Sequence, residues 1–342
     1  MSEKPRPLTT WCRLLRLRNL FTVPGDPLAG FMLATGGLLD WRVAGAMATS
    51  LLLYSAGLLL NDYFDRHIDA RERPERPIPS GAITARTVLT VGLILLVAGI
   101  GMAFAMGHAG AGAVAVALAL AVFAYDARLK RISWLGPLVM GGCRAASVVL
   151  GATFAFRPMA PQVVAAAGLI WAYITAISIL AARETTGDRP GRMAYVPVAA
   201  LLVAGVAMLW LSLTASWQKP EVVTSVSSHL QGEAMWKTET IFVEDPRFDE
   251  AGPVAAGLLL LVGIEAALAA LHARRGPLAV PAFVGRLIRI MISVQAAWCV
   301  WAVRPCFGDG LHDPHALPFA FVGAHFLVRW IAGLTARRFY GS

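Results

Sequence analysis

The stretch MATSLLLYSAGLLLNDYFDRHIDARERPERPIPSG, Met47 to Gly81, sets an apolar run directly against a segment dense in charge and proline. The apolar part reads as a membrane-crossing helix, which needs about 20 such residues. Behind it come Asn61, Asp62, Asp65 and Asp69. If the helix continues from Asn61 to Ala70, the three aspartates stand at i, i+3 and i+7, within about 60° of one face. Three carboxylates on one face repel each other, and such crowding is tolerable around a divalent cation. Mg²⁺ takes one or two carboxylates and completes its shell with water and phosphate oxygens. Asn61 adds a neutral oxygen. The plainer alternative is a solvated helix end whose acids pair with Arg66 and Arg73 at i+4. The residues just after the acids favour a ligand site: Arg71, Arg73 and Arg76 bring positive charge, and Pro77 and Pro79 are expected to hold the chain extended. That combination suits a metal-bound diphosphate.

Moving outward, 57% of the 342 residues are hydrophobic and only 15% charged, with a mean hydropathy of +0.62. This balance excludes an ordinary soluble domain and indicates an all-α, polytopic membrane helix bundle. Apolar runs near residues 20–37, 41–60, 85–106, 109–125, 134–156, 161–182, 193–214, 252–272, 280–303 and 315–334 predict about ten spans. The net charge of +9 follows topology: with alternating helices most Lys and Arg fall on one side, while loops such as MGHAGAG and FRPMAPQ are nearly uncharged. Both termini and the acidic loops are therefore expected on the cytoplasmic side of an inner or cell membrane. No basic, aromatic-laced surface for nucleic acid is visible. Cys12, Cys143, Cys299 and Cys306 are scattered without a CxxC pair, which argues against a zinc site or disulfide framework. Residues 1–19 read as an uncleaved, amphipathic cytoplasmic lead, and 20–342 as one membrane domain. Within it the polar segment 216–250 has hairpin-like alternation but is expected to form an irregular lid or loop on the non-cytoplasmic side.

Three loops, after the second, fourth and sixth spans, fall on one face and each mixes acids with Arg or Lys. In YDARLKR, the Tyr125 hydroxyl, Lys130 and Arg131 could reach phosphate oxygens, Lys as a point charge and Arg as a fork. Interfacial Tyr with topological Lys and Arg is the competing reading. In ARETTGDRPGR, Glu184 and Asp188 at i+4 could hold a second cation or pair with Arg183 and Arg189. Arg144 lies inside an apolar run, so it must face the bundle interior, toward an anionic ligand or a buried acid such as Asp26. Asn19 reads either as a diphosphate contact or as a helix-start residue.

At these residues the chain resembles the UbiA superfamily of intramembrane prenyltransferases, whose NDxxDxxxD motif is matched at every fixed position by Asn61, Asp62, Asp65 and Asp69. The family's Tyr and Lys after helix 4 are matched by Tyr125 and Lys130. The resemblance implies a bundle of commonly nine helices with a polar cap and a lateral opening to lipid. It also implies two Mg²⁺ ions on two acidic loops and an isoprenyl diphosphate whose allylic C–O bond ionises before capture by a lipophilic, usually aromatic acceptor. On this reading Asp62, Asp65 and Asp69 hold one metal, while Lys130, Arg131 and Arg76 neutralise phosphate. The second motif departs from the family: Glu184 and Asp188 stand where DxxxD is usual. The runs YDARLKRISWLGPLVMGGCRAASVVLG and YITAISILAARE look most like the EboC branch, associated with secondary metabolites. The altered motif also leaves room for a catalytically weak protein that binds or moves a lipid-like metabolite.

Overall fold

The computed structural model describes residues 7–157, 159–184, 191–215, 222–230, 233–241, 251–273, 280–302, 323–324 and 327–331. The chain opens with α1 (Pro7–Leu14), α2 (Leu17–Leu20) and α3 (Gly25–Thr35), followed by α4 (Arg42–Glu72), α5 (Ala85–Met106) and α6 (Ala109–Ala127). After a single 3₁₀ turn at Leu129–Arg131 come α7 (Leu135–Phe154), α8 (Pro161–Glu184) and α9 (Tyr195–Ala215). The hairpin β1 (Val222–Leu230) and β2 (Glu233–Ile241), then α10 (Ala251–Ala273) and α11 (Val280–Ala302), complete the labelled elements. Among the described residues, eight helices are long and apolar enough to cross a membrane: α4 to α11. Their outward faces carry exposed apolar side chains, among them Ile94, Val97, Leu120, Val203 and Leu268, as lipid contact requires. The protein is an integral membrane protein.

Three expectations need correction. The first span, 20–37, is broken: α3 has 11 residues, too few to cross alone. Pro24 stands at its start, where it can begin a helix but cannot continue one from α2, since it lacks an N–H and its ring would meet the preceding turn. The segment expected as an irregular lid instead pairs antiparallel, Val222 opposite Ile241 and Leu230 opposite Glu233. Its alternating β-branched residues favour that outcome. Pro77 and Pro79 sit in consecutive turns, not in extended chain. Arg76 O accepts from Ser80 N at 3.0 Å and Ile78 O from Gly81 N at 3.1 Å, with Gly81 at φ 74°, a conformation that favours glycine. Of the tenth expected span, only 323–324 and 327–331 are described, both helical; the rest lies outside the described residues.

α4 positions the site. Its 31 residues span about 46 Å at 1.5 Å per residue, longer than the roughly 30 Å hydrocarbon core. The helix therefore carries Asn61 to Asp69 on its last three turns, as the sequence spacing anticipated. At its other end Asp40 accepts from Arg42 Nε at 2.9 Å and from Arg42 N at 2.8 Å. The side-chain hydrogen bond from Arg42 holds the Asp40 carboxyl below the usual carboxylate range.

Short α3 is tightly enclosed. A Cβ on Gly30 would meet Val148 O at 1.9 Å, and one on Gly151 would meet Pro27 O at 2.0 Å, so the backbones of α3 and α7 lie in direct contact. α4 joins α7 through the Ser50 and Ser147 hydroxyls, 2.6 Å apart and buried. Arg144 on α7 bridges back to α3: its Nε lies 2.8 Å from Asp26 Oδ2, an ion pair not aligned as a hydrogen bond. Its Nη2 donates to Thr22 O at 2.7 Å. Gln295 on α11 donates to the same carbonyl at 2.7 Å and to Asp26 Oδ1 at 2.6 Å. Farther along, Tyr173 on α8 donates to Leu287 O at 2.7 Å, and Arg329 reaches Glu265 on α10 at 2.7 Å and Ser293 on α11 at 3.0 Å.

Two outcomes are expected for stability in detergent. Gly151→Val meets backbone that cannot rotate aside, so it should cost about 1–3 kcal/mol or more. Gly101→Ala, with nothing within 4 Å, should be neutral or mildly stabilising; thermal unfolding compares the two. Asp26→Ala leaves a buried, unpaired guanidinium and should cost about 3–5 kcal/mol, whereas the double change Asp26→Leu with Arg144→Met should recover most of that loss.

Candidate diphosphate and metal site

Viewed down α4 at 100° per residue, Asp62 and Asp69 lie about 20° apart, while Asp65 and Asn61 are offset to one side and neighbour each other at i+4. The ion pairs divide along that line. Arg76 Nη1 lies 2.7 Å from Asp69 Oδ2 and 3.6 Å from Asp62 Oδ1. Lys130 Nζ lies 2.8 Å from Asp65 Oδ1 and 2.9 Å from Asn61 Oδ1. A third cation, Arg16, approaches Asp62 Oδ1 from the N-terminal segment at 3.2 Å.

Each cation is delivered by a different piece of chain. Arg76 hangs from the turns between α4 and α5, where Ile78 and Ile83 pack with Leu14 of α1, Leu59 of α4 and Val88 of α5. Lys130 sits in the 3₁₀ turn between α6 and α7, packed so closely that a Cβ on Gly136 would lie 3.2 Å from Lys130 Cα. Arg16 occupies the left-handed region, φ 44° and ψ 56°, at the joint of α1 and α2. That conformation costs a non-glycine residue on the order of 1 kcal/mol. It turns the chain so that Leu14 packs on α4 while the guanidinium meets Asp62.

The plainer reading, with acids paired to Arg66 and Arg73, is not what forms. Arg66 donates to Tyr63 O at 2.8 Å and lies over the Tyr63 ring at 4.3 Å, while the Arg73 backbone N–H caps the helix on Asp69 O at 2.8 Å. Asp62 and Asp69 are nearly buried, as is Asp126, which reading the sequence missed. Asp126 Oδ1 lies 4.0 Å from Lys130 Nζ. Arg16 was missed as well: it reads as one of several basic residues in RLLRLRNL, and no local spacing ties it to Asp62, 46 residues away.

Tyr125 is half-buried near the end of α6, and Arg131 is exposed beside Lys130. Two candidates fall elsewhere. Arg144 is spent on Asp26 in the bundle interior, correcting its assignment to the diphosphate; an unpaired charge there costs too much. Asn19 lies in α2, where its backbone carbonyl accepts from Thr22 Oγ1 at 2.7 Å. The Glu184 side chain and all of Asp188 lie outside the described residues. The α8 backbone nevertheless ends at Glu184, and its register against α7 is fixed by Trp171 Nε1 donating to Leu138 O at 3.1 Å.

The donor set suits Mg²⁺. Every candidate ligand is a hard oxygen, and two or more carboxylates lie within one helix end with cations nearby to meet phosphate. Among the described residues no three acids converge as a ready-made chelate, so substrate phosphate oxygens and water would complete the shell.

Comparison with known proteins bears on the family and the fold. Digeranylgeranylglyceryl phosphate synthase of Methanothrix thermoacetophila is 35% identical over 180 residues, 49% of this chain and 63% of that protein. The enzyme of the same name from Methanoregula boonei is 31% identical over 128 residues, 37% of this chain and 45% of that protein. The aligned stretch thus spans less than two thirds of these relatives. Among solved structures, a digeranylgeranylglyceryl phosphate synthase superposes with a TM-score of 0.57 at 18% identity, covering 86% of this chain and 98% of that one. A UbiA homologue from Archaeoglobus fulgidus bound to DMAPP and Mg²⁺ superposes at 0.51 with 10% identity, covering 82% and 99%; both likenesses concern the fold. Residues 27–218, more than half of the sequence, match the UbiA prenyltransferase family, and the chain belongs to it.

Proposed function

We propose that this protein is a Mg²⁺-dependent membrane prenyltransferase that moves an isoprenyl group from a prenyl diphosphate to a lipophilic acceptor. The observation that carries the reading is the meeting of Asp62, Asp65 and Asp69 with Arg16, Arg76 and Lys130 at one end of the bundle. A merely structural cap needs no such concentration of both signs. Family membership and the DMAPP- and Mg²⁺-bound homologue support it.

Asp62, Asp65 and Asp69, with Asn61, would hold one ion, and Glu184 with Asp188 supply the acids for a second. Bound there, Mg²⁺ would lend positive charge to the departing diphosphate. Arg76 and Lys130 already stand within 4 Å of these carboxylates, so small side-chain movements bring them to phosphate oxygens. Arg131, exposed beside Lys130, and the Tyr125 hydroxyl are the further phosphate contacts. Because the cap collects most of the cytoplasmic-type basic residues, it faces the cytoplasm on this reading, with both termini on the same side. The acceptor is proposed as a small lipophilic alcohol or aromatic. The relatives named digeranylgeranylglyceryl phosphate synthase support a glyceryl phosphate lipid; the EboC-like sequence runs support a secondary metabolite.

Purified protein in nanodiscs should consume geranyl, farnesyl or longer diphosphates with Mg²⁺, followed by diphosphate release, with glyceryl phosphate and aromatic acceptors compared in parallel. Asp62→Ala and Asp65→Ala should each reduce turnover by about 10²-fold or more. Prenyl diphosphate binding that both substitutions leave untouched would sink the proposal. Glu184→Ala and Asp188→Ala should also reduce turnover. Saturable binding with no diphosphate release in any form of the protein favours the alternative of a non-catalytic lipid-metabolite carrier.

A further inference from the structure

Lys130 occupies oxygens that the proposed function assigns to metal. Its Nζ lies 2.8 Å from Asp65 Oδ1 and 2.9 Å from Asn61 Oδ1, and an ammonium and Mg²⁺ cannot share one carboxylate oxygen at contact distance without severe repulsion. Metal binding through Asp65 Oδ1 or Asn61 Oδ1 therefore has to move the lysine. Its flexible four-carbon stem permits that, and the charge then needs a new partner.

The structure holds a second carboxylate for it. Asp126, on the last turn of α6, has a side chain 3% exposed, with Oδ1 4.0 Å from Nζ. Among the described residues no hydrogen bond reaches this carboxylate, although a buried acid is stable only when a cation or donors meet it. A displacement of about 1 Å by Nζ away from Asp65 completes an ordinary ion pair, which closes at about 2.7–2.9 Å. The first acidic set and Asp126 thus flank one lysine from α4 and α6, one side in close contact and the other just beyond it.

We propose that Asp126 is a positioning residue that takes over Lys130 when metal claims Asp65, keeping the ammonium beside the diphosphate instead of releasing it to solvent. The inference rests on the metal and diphosphate reading of the same site. Asp126 touches neither metal nor substrate; it acts through Lys130.

Direct Mn²⁺ titration, read by electron paramagnetic resonance on the full chain in nanodiscs without prenyl diphosphate, separates the cases. Asp126→Asn should weaken Mn²⁺ binding by about 10-fold, the scale of outer-sphere partners, because Lys130 then stays on Asp65. Lys130→Met should strengthen Mn²⁺ binding, and adding Asp126→Asn to it should change affinity by less than about 2-fold. Asp126→Glu, which keeps the charge, should bind within about 3-fold of the unaltered protein, a rescue that mere loss of packing would not give. An equal loss from Asp126→Asn with and without Lys130 overturns the handover, since Asp126 would then act directly on the ion. No loss in the Lys130-containing protein overturns it too. If the unaltered protein shows no saturable Mn²⁺ site on its own, the same series is read with a non-hydrolysable prenyl diphosphate analogue; no site there either removes the metal reading itself, and the handover with it.

Discussion

Like-charge repulsion among the carboxylates of α4 is the constraint around which the cap is organised. Two unit charges 4 Å apart interact by about 4 kcal/mol at an effective dielectric of about 20, so three acids on one helix face stand together only if cations come to them. Three arrive, and none belongs to α4. Arg16 comes with α1, Arg76 with the turns before α5, and Lys130 with the turn before α7. Each recruits its own piece of backbone, and that is how a helix end in polar surroundings gathers the starts of its neighbours over the bundle mouth. Leu14, Leu59 and Val88 make the apolar floor of the arrangement.

The same logic explains what could be read from the sequence. NDxxDxxxD was legible because helical spacing is local: once α4 was taken to run on past Leu60, the face shared by Asp62, Asp65 and Asp69 followed from 100° per residue. The angles also group Asp62 with Asp69 and Asp65 with Asn61, but which cation meets which group is seen only in the fold. Arg16 was not legible, since its pairing with Asp62 bridges 46 residues; Asp126 stands only four residues before Lys130, and what the local spacing could not show is that α4 brings Asp65 to the same lysine. The i+4 arginines, Arg66 and Arg73, were the obvious local partners. Arg66 instead finds the Tyr63 ring and carbonyl. The length of α3 was legible in principle from Pro24 and Pro27, but the surrounding apolar run concealed the break. Donor chain length and acceptor are not encoded at this level, because an apolar cavity of Leu, Ala, Val and Phe has the same composition for many ligands.

Arg144 shows why an intramembrane charge has to be placed before it is given a function. Its sequence context demanded a partner and could not say whether that partner was ligand or protein. Asp26, Gln295 and the Thr22 carbonyl together answer the demand. Asp26 is available because α3 begins so late, which puts its first turn within the bundle beside α7 and α11. Broken helix and buried pair are therefore one feature. The residues between α2 and α3 leave backbone carbonyls unsatisfied by helix bonding, and Arg144 and Gln295 both donate to one of them, Thr22 O, inside a region where no water competes.

Charge balance finally bears on the second acidic pair. Among the described residues of the cap four carboxylates, counting Asp126, face three cations, so the cap on its own is close to neutral with a slight negative excess. A prenyl diphosphate brings more negative charge than one divalent ion removes. Loading with a single ion would therefore leave the cap more negative than it began, at the edge of a low-dielectric bundle where uncompensated charge is most costly. On the proposed function, either a second ion enters with the substrate or further cations close over it. Arg131, exposed and next to Lys130 in the chain, is the cation proposed for the second course. The first course requires the acids of the second motif, Glu184 and Asp188. A glutamate in place of the family's usual aspartate lengthens the reach by one methylene, so a second ion held there would sit at a shifted position.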